Sequence, residues 1–176
     1  LPAAQYEVAD TLARINIEPE HSFKMFKKAA ENGYGKSYLR YGTELYNSGN
    51  HKEALKWLSK ATEYEAGTAN NNGKPYIGVA TDNYIQSVEL LAKLYFDGKG
   101  VEQDKNKAAE LIDELIKQVN GKINMRKIQV APNTEWQPNN FNSRDEQIQY
   151  YNNQLNNYMS KSAELVNLKR MMMEWR

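Results

Sequence analysis

L-A-K-L-Y-F-D-G-K-G-V-E-Q-D-K-N-K-A, residues 91–108, repeats in altered form the stretch G-T-E-L-Y-N-S-G-N-H-K-E-A-L-K-W-L-S-K-A at 42–61. Leu45-Tyr46 matches Leu94-Tyr95, Gly49 matches Gly98, and Ala54 matches Ala108. In each copy an apolar helix with Leu-Tyr near its end stops at a glycine, which accepts a left-handed backbone without a side-chain clash. A polar loop follows, and a second helix opens on an alanine small enough to lie against its neighbour. A third, fainter copy comes first: M-F-K-K-A-A-E-N-G at 25–33 parallels W-L-S-K-A-T at 57–62. The offset is close to the roughly 34-residue period of helix-turn-helix arrays.

The pattern resembles that of the Sel1-like repeat family, A-x3-L-G-x2-Y-x2-G-x-G-V-x2-D-x3-A-x2-W-x3-A-A-x2-G. Ser87, Leu91, Ala92, Tyr95, Gly98, Gly100, Val101, Asp104 and Ala108 fall on it in register, with Leu111 in the tryptophan place and Leu115 in the alanine place. The second unit sets Tyr41-Gly42 on Leu-Gly, carries Gly49 one residue late, and lacks the G-x-G-V-x2-D loop. The resemblance spans residues 6–119. It implies an all-α fold: a short right-handed helix-turn-helix solenoid of about three Sel1-like repeats with a long C-terminal helix.

At 176 residues the chain suits one domain, and three units are about the minimum that stacks stably. A formal net charge of +1 provides no field that would draw nucleic acid or an anionic membrane. The absence of cysteine removes disulfide scaffolds, thiolate zinc sites and cysteine nucleophiles, and makes the disulfide-stapled Sel1-like proteins a poor match. It does not choose between periplasm and cytoplasm. No apolar run reaches the roughly 18 to 20 residues that cross a bilayer. The opening Leu1-Pro2, in place of methionine, reads as a chain cut upstream, by removal of a signal peptide or by trimming.

Apolar periodicity predicts helices over 4–15, 21–31, 36–47 and 52–65, with Asn50 and Glu53 at the spacing of a capping box. The asparagine- and glycine-rich insertion at 67–82 interrupts the array, and loops of that length are often functional. Unit three runs over 83–120, its second helix opening at Asp104. The repeats thus occupy 1–120, and 121–142, with its β-like Ile128-Gln129-Val130, reads as an extended connector. Ser143 with Glu146 forms a capping box that opens a helix over 143–176. Ile148, Tyr151, Leu155, Tyr158, Met159, Ser162, Leu165, Val166 and Met172 or Met173 trace one face of it. That helix caps the exposed apolar edge of the last repeat, or else offers residues 171–175, M-M-M-E-W, as an adaptable sticky end.

Catalytic chemistry finds no support in these residues. G-K-G at 98–100 lacks the spacing of a phosphate loop, and His21 and His51 stand alone without metal-ligand spacing. Glu63 with Glu65, and Asp113 with Glu114, are helix neighbours that do not face each other. The expectation is a non-enzymatic protein that uses neither cofactor nor metal.

The twelve tyrosines point instead to a binding surface, since tyrosine brings large area at little entropic cost. Tyr46 and Tyr95 fall on core-spacer positions of the repeat. Tyr38, Arg40, Glu44 and Asn47 of unit two, and Tyr84, Glu89 and Lys93 of unit three, are the candidates for a partner-binding inner face. The opening Leu-Pro, I-x-P-E and K-A-A-E-x-G, with few and interrupted repeats, looks like small bacterial Sel1-like proteins that neutralise phospholipase effectors of type VI secretion. That resemblance implies a periplasmic or envelope immunity protein gripping a toxin. The competing expectation is an adaptor, similar to Sel1-like proteins that hold envelope or polysaccharide-secretion complexes together.

Overall fold

Seven helices form among residues 1–67, 74–135, 137 and 140–174, which a computed structural model describes. They are α1 (Pro2–Arg14), α2 (Pro19–Glu31), α3 (Lys36–Asn47), α4 (His51–Ala66), α5 (Asp82–Asp97), α6 (Lys105–Gln129) and α7 (Arg144–Glu174). α1 packs on α2, α3 on α4 and α5 on α6, and the pairs lean on one another through α2 with α3 and α4 with α5. The result is an all-α solenoid of three helix pairs, with α7 laid on α6.

Helix starts follow local chemistry. Proline, with its fixed φ and missing N–H, stands in the first turn of α1 and α2. Thr81 Oγ1 accepts from the Tyr84 N–H at 3.0 Å to open α5, and Asp104 Oδ1 accepts from the Lys107 N–H at 2.8 Å to open α6. The box expected at Asn50 does not form: its side chain makes no cap bond, and Glu53, which would complete the box, faces Lys56 at 3.5 Å. At α7 the box closes, Ser143 Oγ accepting from the Glu146 N–H and the Glu146 carboxylate from the Asn142 N–H.

Two apolar cores meet at α5. One gathers Ala9, Phe26, Leu45, Trp57 and Leu58 of the first two pairs, and α5 supplies Leu91 and Leu94 to it. The other joins Val88 and Ala92 of α5 to Ile112, Leu115 and Val119 of α6 and to Leu165 and Met172 of α7. Leu111, in the family's tryptophan place, packs against both. The G-K-G loop is a repeat joint: Gly100 has φ +74, and a Cβ there would lie 2.5 Å from the His51 carbonyl carbon.

The C-terminal third departs from expectation. α6 continues to Gln129, so 121–129 are helical where an extended connector is expected, and Ile128-Gln129 close a helix instead of forming a strand. Gly121 is a packing glycine: a Cβ on it would lie 2.7 Å from the Gly78 nitrogen, because the insertion crosses the helix there. What remains of the connector is pinned to α7 by buried Gln147, which accepts from the Gln137 N–H and donates to the Glu135 carbonyl. Arg126 meets Gln154, Asn120 meets Ser162, and Asp113 meets Lys169, a register that only antiparallel helices give. α7 therefore covers the edge where a fourth repeat would stack. Of the terminal methionines Met172 is buried in the core, whereas Met171 and Met173 are exposed; Trp175 lies outside the described residues.

Candidate functional site

The seven candidate residues do not share a face. An α-helix turns about 100° per residue, which sets Arg40, Glu44 and Asn47 about 180° to 240° around α3 from Tyr38, and Glu89 and Lys93 about 140° to 180° around α5 from Tyr84. Tyr38 is half-buried against Trp57 and Tyr64 of α4. Tyr84 is only 3% exposed; burial, then the Glu114 carboxylate, push its hydroxyl up to about 12. It belongs to the core and cannot meet a partner. Arg40 reaches Asp10 of α1 at 3.5 Å and lies over the Phe26 ring, while Glu44 and Asn47 are exposed. Tyr46 and Tyr95 are half-buried at the core margins, in keeping with their spacer positions.

Glu89 and Lys93 line a groove of about 490 Å³ between α5 and α7. Its floor includes Ile85 and Leu90; Asp82 and Gln86 come from the same face of α5, and Asn157, Tyr158 and Lys161 from α7. Glu89 binds both lysines, Lys93 at 2.7 Å and Lys161 at 2.6 Å, and Lys161 also meets Glu164 at 3.1 Å. Burial alone would raise the Glu89 carboxyl, but the hydrogen bonds from Lys161 and Lys93 outweigh it and hold the group below its ordinary value. Burial likewise opposes the charge on Lys161, and Glu89 with Glu164 more than compensate, so its pKa is raised.

At the Asp82 and Tyr158 end the balance differs. Lys122 Nζ sits 5.0 Å above the Tyr158 ring and 3.5 Å from its hydroxyl; Arg126 lies 5.4 Å over Tyr151 and donates to Gln154 and Gln129. Burial lowers the Lys122 pKa, opposed by the Asp82 carboxylate and reinforced to a lesser degree by Arg126. Burial and Asp82 raise that of Tyr158 against the pull of Arg126. None of these residues stood among the sequence candidates, because α6 was expected to end before Lys122 and Tyr151 and Tyr158 were read as the packing face of the C-terminal helix.

The insertion is docked beside this cluster. Buried Gln118 donates to the Pro75 carbonyl at 2.9 Å and accepts from the Gly78 N–H at 3.1 Å. Gly78 rests on Gly121 and on the Met125 sulfur. So held, the loop turns Tyr76, Ile77 and Val79 outward at 56%, 66% and 53% exposure. Residues 68–73 of the insertion lie outside the described residues. Among the described residues no cluster of histidine or acid could hold a metal, and no helix is long and apolar enough to cross a membrane.

Stacked helix pairs, glycine joints and a surface groove define a helical-repeat solenoid, a scaffold that works through its faces. Residues 2–34, 35–63 and 85–115 each match the Sel1 repeat and together exceed half of the chain, which therefore belongs to the Sel1 repeat family. It is also similar to the crystal structure of a Sel1 repeat protein from Oxalobacter formigenes, with 21% identity over 89% of this chain and 73% of that one and a TM-score of 0.35. The comparison with curated proteins returns no match. Sel1 repeats are protein-interaction modules, generally without catalysis of their own.

Proposed function

We propose that this chain is an immunity protein that binds a cognate bacterial toxin effector of the phospholipase type and blocks it, in the periplasm or cell envelope. The observation that carries the reading is the insertion clamped by Gln118, which holds three large apolar side chains exposed together. Ordering a loop in advance removes a cost that would otherwise fall on binding. An enzyme that acts on acyl chains offers an apolar cleft as its substrate site, and Tyr76, Ile77 and Val79 are suited to fill one.

The test mixes this chain with the phospholipase encoded beside it and follows release of a fluorescent fatty acid. A stoichiometric complex with activity abolished is expected, and Ile77→Asp, at an exposed position, should weaken inhibition about thirtyfold or more. Full activity at saturating concentration sinks the immunity role. A scaffold that bridges two envelope components is the alternative, supported by a second exposed apolar strip, Met159 and Val166, along the outer groove between α6 and α7. It would bind both components and leave each active.

A further inference from the structure

α7 carries the register of the helices that open units two and three. Gly42 of α3 has Tyr38 four residues before it and Leu45 three after; Ala92 of α5 has Val88 and Tyr95 at those spacings, and Ala163 of α7 has Met159 and Val166. In α3 and α5 the second helix of the pair covers this face. Tyr38 packs on Trp57 and Tyr64 of α4, and a Cβ on Gly42 would lie 3.0 Å from the Leu58 side chain. Val88 and Ala92 join Ile112 and Leu115 of α6 in one core. In α3 and α7 alike, the cation two residues before the small one reaches back to the preceding first helix: Arg40 to Asp10 at 3.5 Å, and Lys161 to Glu89 at 2.6 Å. α7 thus stands as the first helix of a fourth unit, and its second-helix face is bare. Met159 and Val166 are each 50% exposed, and Ala163 between them is exposed too. With Ile123 of α6 they line a groove of about 560 Å³. Lys127 is the charged residue in its lining, and among the described residues no carboxylate lies within ion-pair distance of it.

We propose that the α6–α7 groove receives an amphipathic helix of a protein partner, which completes the fourth pair from outside. Its apolar side chains, three and four residues apart, rest on Met159, Ala163 and Val166, and an aspartate or glutamate on its flank meets Lys127. The small residue at the centre of the seat suits a helix, because Gly42 gives Leu58 of α4 the same close approach. A second copy of this chain is the poorer occupant, since its own groove would bring another Lys127 and no acid to meet the first. The proposal rests on the protein-binding reading of the chain and adds the shape and chemistry of the bound segment.

The test selects displayed random peptides of about five helical turns on the whole protein, then measures enriched peptides by fluorescence anisotropy and circular dichroism. Peptides that turn helical on binding, with apolar residues at i, i+4 and i+7 beside an acid, are expected. Ala163→Arg, at an exposed position, fills the seat and should weaken their binding about tenfold or more. Lys127→Glu should weaken it severalfold, and a lysine in place of the peptide's acid should restore the loss, an exchange that misfolding does not mimic. Enriched peptides that stay extended, affinity indifferent to both variants, or no enrichment each overturn the proposal. A dimer of the free protein that Ala163→Arg dissociates gives the seat to a second copy and overturns it as well. All of these failures leave inhibition through the insertion untouched, whereas a toxin left active while helical peptides bind removes only the immunity role.

Discussion

At Gly100 a positive φ of +74 coincides with a missing Cβ that would lie 2.5 Å from the His51 carbonyl carbon and 2.6 Å from the Lys52 nitrogen. Backbone atoms at a helix start cannot step aside, so Gly100→Ala should cost about 2 to 4 kcal/mol, from strain and overpacking together. Thermal melting should then fall by roughly 5 to 15 °C for a chain of this size. Lys122 predicts the opposite sign. Its charged form is disfavoured in the folded state chiefly by burial, which outweighs the Asp82 carboxylate, so Lys122→Met, which keeps the apolar stem, should stabilise the protein. Half-exposure screens the effect, and a gain of a few tenths to about 1 kcal/mol in urea titration is the expected size. A loss of stability would show that the contact with Tyr158 matters more than the desolvation. Both residues illustrate what the sequence could and could not say. The repeat pattern located Gly100, whereas Lys122 fell in a stretch read as connector because of its prolines, its asparagines and the β-like Ile128-Gln129-Val130.

At the scale of elements, α6 is long because the insertion needs it to be. Gln118 is buried and spends its amide on the Pro75 carbonyl and the Gly78 N–H, so Gln118→Ala leaves two buried backbone groups without partners. A loss of about 2 to 3 kcal/mol is expected, with faster hydrogen exchange at the Gly78 amide. Unchanged exchange there would mean that Gly121 and Met125 hold the loop by themselves. The three helix pairs and the capped starts at Asp104 and Ser143 were legible from periodicity and cap chemistry. The end of α6 was not, since a glycine in a helix is explained only by the backbone that crosses it. That the candidates do not share a face was available beforehand: helix register alone sets Tyr38 and Tyr84 opposite the charged residues of their own helices. The groove itself was hidden, because one wall of it comes from α7, about 70 residues further on, and no pattern within the repeats names that neighbour; Lys161 meets Glu89 only through the packing.

For the whole molecule, α7 takes the place of a fourth repeat, and Glu89 is the acid that ties it to α5. Glu89 is held below its ordinary pKa because the hydrogen bonds from Lys161 and Lys93 outweigh the effect of burial. A carboxyl depressed in the folded state contributes stability that is fully present above its unfolded value, about pH 4. That contribution is lost as the pH falls through the folded value. The groups facing Glu89 are lysines, and Glu164 touches only Lys161, so the sign is set by Glu89 itself across the acidic window. Glu89→Gln should therefore cost on the order of 1 to 2 kcal/mol at pH 7, discounted for the partial exposure of both lysines. The difference from the unsubstituted protein should shrink steadily below about pH 4. Urea titrations of the two proteins at pH 7 and pH 3 measure this directly. A deficit that persists undiminished at pH 3 would show that Glu89 acts by shape and not by charge, and that the α5–α7 junction is held by Leu165 and Met172 in the core beneath it.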